Sequence, residues 1–352
     1  MFNRKTLFVI GAGAGFDIEV PVGRALAEDI ARRTLIKVAD GRLGKATTDE
    51  DLALSFFERG DPKANIYIKA FQIIRNGVLL ANSIDDFLNI HEGSPEVVTV
   101  GKATIVRSIL YAERHCKLYV DPSNIYNKLD VTKIRDSWFV KFMQVLGPGR
   151  KVHEVGNVLH DVSFINFNYD RCLEYFLGHA LALMYAIEPK QAAEIVAKAD
   201  IIHPYGSVGS LERVPFGGAE HARIDYRDLS KAIKTYTERI EEPSVLESMQ
   251  TAIREAQCIV FLGFAYHKQN MALLKPPKPL KTREVYGTAY GMSDSDVSHV
   301  AAELESFFPE NVIETFEVAG GAQGGMVRKD IRIENKLTCA QLFDYYAKSL
   351  AG

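Results

Sequence analysis

An α/β fold is predicted by three features of this sequence: a Rossmann-like parallel sheet with helices on both faces and a large helical insertion. The first is Leu7-Phe8-Val9-Ile10, an apolar run suited to a strand buried on both faces, followed at once by glycines at 11, 13 and 15 and then by a helical pattern. The second is a strand-then-helix rhythm that resumes after residue 149, with polar residues at each strand's carboxyl end. The third is the interval between them, about 47–148, where apolar residues recur at three- and four-residue spacings.

Taken in order, Leu7 to Ile10 is the first strand. The stretch Gly11 to Gly23 is longer than the turn of a dinucleotide fingerprint, and Phe16 stands where that fingerprint has its third glycine. Glycines permit a sharp turn and a close approach, so the loop reads either as a phosphate cradle or as a plain glycine-rich connection. A helix from about Gly23, with Leu26 and Ile30 on one face, would turn its free N–H groups toward that loop. Leu35 to Asp40 reads as a second strand, with Asp40 in the place of a ribose-binding acid.

In the insertion, Leu52, Phe56, Phe57, Ile66, Ile68, Phe71, Ile74 and Leu79 keep helical spacing, and Ser83 with Asp86 reads as a helix cap. Phe56, Phe57, Ile66, Tyr67, Ile68 and Phe71 exceed what one packed face needs, which predicts burial against a second copy in a homo-oligomer. Leu146 to Lys151, LGPGRK, breaks the pattern and returns the chain to the sheet.

Strands then follow at Ser163 to Phe167, Asp200 to His203, Ile259 to Leu262 and Val285 to Thr288, separated by helices at about 191–199 and 245–256. A helix from Ser293 to Phe308, a strand at Val312 to Val318, a glycine-rich loop at Ala319 to Gly325 and a helix capped by Thr338 complete the chain. This predicts one domain: a core of about 1–46 and 149–318, an insertion of about 47–148, and a C-terminal tail and helix of about 319–352.

Composition narrows the function classes. With 352 residues, 47% hydrophobic, 25% charged and a formal net charge of −3, the chain reads as an ordinary globular protein with no electrostatic case for nucleic acid or a membrane surface. No apolar run approaches the ~20 residues that span a bilayer, and the first residues enter a strand, so a cytoplasmic location is expected. Cys116, Cys172, Cys258 and Cys339 are far apart, which argues against a disulfide framework and a zinc ribbon and reads them as buried small hydrophobes.

Four strand-end motifs stand in order: Gly11-Ala12-Gly13-Ala14-Gly15 with Pro21, Asn168-Tyr169-Asp170, His203-Pro204-Tyr205-Gly206-Ser207, and Gly263-Phe264-Ala265. In that order they resemble the sirtuin-like NAD-binding family over most of the chain. FINFNYDRCLEYFL, SIDDFL and LGFAYHKQN are most similar to its bacterial anti-phage defence branch. The resemblance implies NAD as substrate, and hydrolysis to nicotinamide and ADP-ribose over protein deacylation, because the four-cysteine zinc module of deacylases is missing. It implies that Gly11, Ala12 and Gly13, with Pro21, border the NAD diphosphate and adjoining ribose. Asn168 would hold the nicotinamide ribose and the attacking water, Asp170 the carboxamide, and Gly263 and Phe264, with Asn270, the adenosine half.

The family's catalytic histidine directly precedes a glycine. Here Tyr205 precedes Gly206 and His203 lies two residues earlier, so both are candidates for the base, and alternation along a strand would put them on one side. Asn168 and Asp170 also read as helix caps, and His203 as a core histidine. The branch further implies a separately encoded partner such as a HerA-type hexameric helicase. A catalytically silent NAD- or ADP-ribose-binding scaffold is the alternative function.

Overall fold

The structure is a computed structural model and describes residues 2–39, 42–57, 64–219, 223–235, 238, 243–278, 280, 283–308, 314–318, 322–326 and 331–352. Six strands form an all-parallel sheet: β1 (Thr6–Ile10), β2 (Val162–Asn166), β3 (Asp200–Ile202), β4 (Cys258–Leu262), β5 (Glu284–Thr288) and β6 (Ile331–Glu334). Their spatial order is 3-2-1-4-5-6. β1 lies at the centre, with Thr6 level with Val162 on one side and with Cys258 on the other. In this doubly wound order the path across the sheet reverses beside β1, and a crevice opens there at the carboxyl ends of the strands.

α1 (Arg24–Arg33) follows β1. The insertion supplies α2 (Glu50–Leu54), α3 (Ala64–Gly77), α4 (Ile84–Ile90), α5 (Pro95–His115), α6 (Val131–Ile134) and α7 (Trp138–Leu146). Next come α8 (Cys172–Tyr185), α9 (Pro189–Ala197), α10 (Tyr226–Leu229) and α11 (Pro243–Glu255). The last helices are α12 (Lys268–Leu274), α13 (Asp294–Phe307) and α14 (Cys339–Ala351).

Both β1 and β4 are buried along their whole length, because alternate side chains feed two separate cores. Leu7, Val9, Ile165, Ile259 and Phe261 pack with side chains of α1, α3, α5 and α11 on one face. Phe8, Ile10, Phe164, Val260 and Leu262 pack with α7, α8, α9 and α14 on the other. The expected strands of the sheet appear within one residue of their expected ends.

Three expectations are corrected. Of Leu35 to Asp40 only Val38–Ala39 is extended, pairing antiparallel with Arg42–Leu43 outside the sheet, because β1's neighbour on that side is β2, more than a hundred residues later. Asp40 itself lies outside the described residues. At Val312 to Val318 a strand is present over Glu314–Val318, but the loop expected at Ala319 to Gly325 is in part its partner: Ala322–Met326 pairs with it antiparallel, apart from the six-stranded sheet; residues 312–313 and 319–321 lie outside the described residues. Finally, the last segment is not a tail. Ile331–Glu334 closes the open edge of β5, and α14 brings Phe343 onto Phe8 at 6.2 Å between ring centres.

Part of the apolar surplus of the insertion is spent inside the chain. Phe56, Tyr67 and Phe71 are buried and pack ring to ring, at 5.0 Å for Phe56 with Tyr67 and 5.4 Å for Phe56 with Phe71, whereas Ile66 stays exposed. Among the described residues no helix is long and apolar enough to cross a membrane.

Candidate active site

The crevice begins with a backbone contact. Gly11 N–H donates to the Leu262 carbonyl at 3.0 Å and Gly13 N–H to that of Gly263 at 2.9 Å, so the loop after β1 lies directly on the turn after β4. No side chain fits between them: a Cβ at Gly11 would stand 2.7 Å from the Gly263 oxygen, and one at Gly13 2.9 Å from the Gly263 Cα. Gly263 has φ of 57°, in the left-handed region that favours glycine. These glycines answer first to each other. Gly11 and Ala12 border the cavity, whereas Gly13 and Gly263 stand behind its wall.

From Ala12 the chain makes a 3₁₀ segment to Ile18, then passes Pro21 into α1. No side chain caps the first turn of α1, where the Ala25 N–H donates to the Val22 carbonyl at 3.1 Å, and Gly23 and Leu26 line the cavity, so the positive end of the helix dipole lies beside it. The cavity measures about 190 Å³. Asn168 and Asp170 enter it from the end of β2, Tyr205 and Phe264 from the loops after β3 and β4, Asn270 from α12, and Ile84 and Asp85 from the insertion. Larger hollows exist, one of about 350 Å³ around Lys5 and Asp200 and one of about 610 Å³ between Phe16 and Lys133. The first lies at the amino ends of the strands, and neither contains the β2-end polar residues, so the carboxyl-end crevice is the site that the topology favours.

Asn168 is held across the crevice: its Nδ2 donates to the Gly11 carbonyl at 3.1 Å, and its backbone N–H donates to Asn166 Oδ1 at 3.1 Å. The amide keeps a second N–H and its own oxygen for other partners. Asp170 combines the two readings made from sequence, since its Oδ1 accepts the Cys172 N–H at 3.1 Å at the start of α8 while the residue also lines the cavity. Burial pushes its carboxyl above the ordinary range.

His203 does not line the cavity. β3 ends at Ile202, so the strand alternation that would place 203 and 205 side by side has already stopped. The His203 ring lies behind Asn168, with Nδ1 3.1 Å from the Asn168 carbonyl and Nε2 2.7 Å from Glu174 Oε1. Burial by itself would lower the ring's pKa, but the Glu174 carboxylate outweighs it and holds it above its ordinary value, while the Glu174 carboxyl is held below its own. Both ring nitrogens thus face acceptors, a carboxylate and a carbonyl.

Tyr205 does line the cavity, and its hydroxyl donates to Asn270 Oδ1 at 2.7 Å. Burial raises its pKa far above the ordinary phenol value, so the hydroxyl stays protonated at neutral pH. Gly206, at φ of 72°, is shaped by its neighbours, because a Cβ there would lie 2.0 Å from the Ala232 oxygen. An aromatic cluster completes the wall, with Phe167 5.2 Å from Phe264 and 5.7 Å from Tyr205 between ring centres.

Asp85 lines the cavity, in a stretch that reads from sequence only as a capped helix start. Ser83 Oγ accepts the Asp86 N–H at 3.0 Å and caps α4 as expected, and Asp85 beside it lines the cavity. Tyr169 Oη stands 3.1 Å from Asp85 Oδ1 and 2.8 Å from the Lys234 carbonyl. Burial, opposed by the Tyr169 hydroxyl and reinforced by Asp86 and Glu238, pushes the Asp85 carboxyl up to about 6. The available signal was an acid left over once Ser83 had capped the helix.

Behind the site, Arg171 and Glu113 form a buried pair at 2.5 Å, and Glu113 also accepts the backbone N–H groups of Arg171 and Gly217. This ties the end of α5 to the loop that carries Asp170. All four cysteines are buried and free, and among the described residues no group of three or more His, Cys, Asp and Glu is arranged to hold a metal ion. Comparison with protein-family models, with curated proteins and with solved structures gives no match.

Proposed function

We propose that this chain is a sirtuin-like NAD glycohydrolase that releases nicotinamide and ADP-ribose and acts by depleting NAD in anti-phage defence. What carries the reading is the meeting of Asn168, Asp170 and the uncapped start of α1 in one crevice at the carboxyl ends of the strands, beside the reversal in strand order. Nicotinamide leaves as a neutral ring when its glycosidic bond breaks, so the protein must chiefly position the ribose and a water. Asn168 would hold both, Asp170 the carboxamide, and the α1 amides the diphosphate. At about 190 Å³ the cavity is smaller than the roughly 300–1000 Å³ of whole small-ligand sites, so the adenosine half would run out past Phe264 and Asn270.

The test is nicotinamide release from NAD, followed by chromatography. Asn168→Ala is expected to lower the rate by at least ~100-fold with circular dichroism unchanged, equivalent to about 2.7 kcal/mol of transition-state stabilisation. One observation favours a second reading, an NAD- or ADP-ribose-binding scaffold without catalysis: His203 is tied up with Glu174 and Tyr205 remains protonated, so neither supplies a base. ADP-ribose binding by a wild-type protein that releases no nicotinamide between about pH 5 and about pH 9 would select that reading.

A further inference from the structure

We propose that Asp85, contributed by the helical insertion, is the proton acceptor of this site and takes the proton from the water that attacks C1′ of NAD. The proposal rests on the NAD-hydrolysis reading. It starts from where the titratable groups stand. His203 is outside the cavity with both ring nitrogens engaged, and Tyr205 is a donor to Asn270. Asp170 has one oxygen committed to the start of α8.

Asp85 reaches the cavity from α4, and the Tyr169 hydroxyl, shared between its carboxylate and the Lys234 carbonyl, is the only side-chain hydrogen-bond partner it has among the described residues. Tyr169 stands between Asn168 and Asp170 in the chain, so the residue that fixes Asp85 belongs to the same loop as the residues proposed to hold the ribose and the carboxamide. The site is therefore closed by two segments, one from the sheet and one from the insertion, joined through a single hydroxyl.

The step balances without a redox partner. The C1′–N bond breaks with both electrons passing to the nicotinamide nitrogen, which becomes neutral, and a bond forms from the water oxygen to C1′. The water's proton passes to the Asp85 carboxylate and then to solvent, so each NAD consumed releases one proton. The groups around Asp85 are Tyr169, Asp86 on its own helix and Glu238, with Tyr205, Asp170 and His267 also lining the cavity. With burial and two neighbouring carboxylates holding its carboxyl at about 6, the basic form prevails at neutral pH while the group can still accept a proton.

The experiment follows nicotinamide release against pH for the wild type, Asp85→Asn and Tyr169→Phe, with ADP-ribose affinity measured by calorimetry. The wild-type turnover is expected to fall as pH drops through about 6. Asp85→Asn should lose at least ~100-fold in turnover and lose the acid limb of the profile, with ADP-ribose affinity changed by less than about threefold. Tyr169→Phe removes the shared hydroxyl whose contact with Asp85 favours the carboxylate, so its acid limb should move to higher pH. That shift decides the matter alone if Asp85→Asn does not fold.

A wild type that hydrolyses NAD, together with an Asp85→Asn protein of similar turnover or a limb that stays in place in Tyr169→Phe, overturns the role of Asp85 and leaves the hydrolysis reading standing. A wild type that releases no nicotinamide overturns both.

Discussion

At Gly263 two constraints coincide: a left-handed backbone and a Cβ position only 2.1 Å from the Ala14 nitrogen. Gly23 shares the positive φ, at 52°, but a Cβ there meets nothing within 4 Å. Gly263→Ala is therefore expected to destabilise by at least about 2 kcal/mol, and by more than Gly23→Ala, in urea unfolding. Equal losses would mean that backbone strain, and not the contact with the β1 loop, sets the demand for glycine.

The His203–Glu174 pair gives a pH signature. His203 has a raised folded pKa, so its contribution is complete below its unfolded value of about 6.5 and is lost as pH rises through the folded value. Glu174 has a lowered one, so its contribution is complete above about 4.5 and is lost as pH falls through the folded value. The stability gap between wild type and His203→Gln should thus be widest between about pH 5 and about pH 6.5 and shrink above that window. A gap that stays flat up to about pH 9 would show that the ring stabilises by packing and not as an imidazolium.

At the scale of elements, the end of the chain is structural. Phe343 is buried in α14 among Phe8, Trp138 and Phe142, with ring centres 6.2, 6.3 and 6.4 Å away. Phe343→Ala should cost about 3–5 kcal/mol in urea unfolding, whereas a loosely attached tail would tolerate it within about 0.5 kcal/mol. This role was hard to read from sequence because Ile331-Arg332-Ile333-Glu334 is short and alternates, as a half-covered edge strand does, and so lacks the continuous apolar run that marks β1 and β4. Conversely, Leu35 to Asp40 has apolar character but no room in the sheet, which only the long-range pairing of β1 reveals.

The site was legible to the extent that it depends on strand ends. Asn168, Asp170, Tyr205 and Phe264 line the cavity because each follows a strand that the sequence marks. His203 misled because one residue of strand length decides which way a side chain faces. Asp85 was hidden because its place depends on how the insertion folds back over the sheet.

Across the whole molecule, the insertion does not sit to one side of the sheet: α3 and α5 join one core and α7 the other. The central strand is the one most affected by the order of synthesis. β1 is made first, yet its two neighbours begin at Val162 and Cys258. At about 5–20 residues per second, a ribosome needs roughly 8–30 s to complete even the nearer of them. Through that interval Thr6–Ile10 has no strand to pair with and two apolar faces to hide, while the intervening helices can form from contacts close in sequence. The nascent chain thus carries its future centre as its most adhesive segment, and shielding by chaperones is most valuable before residue 166 has left the exit tunnel.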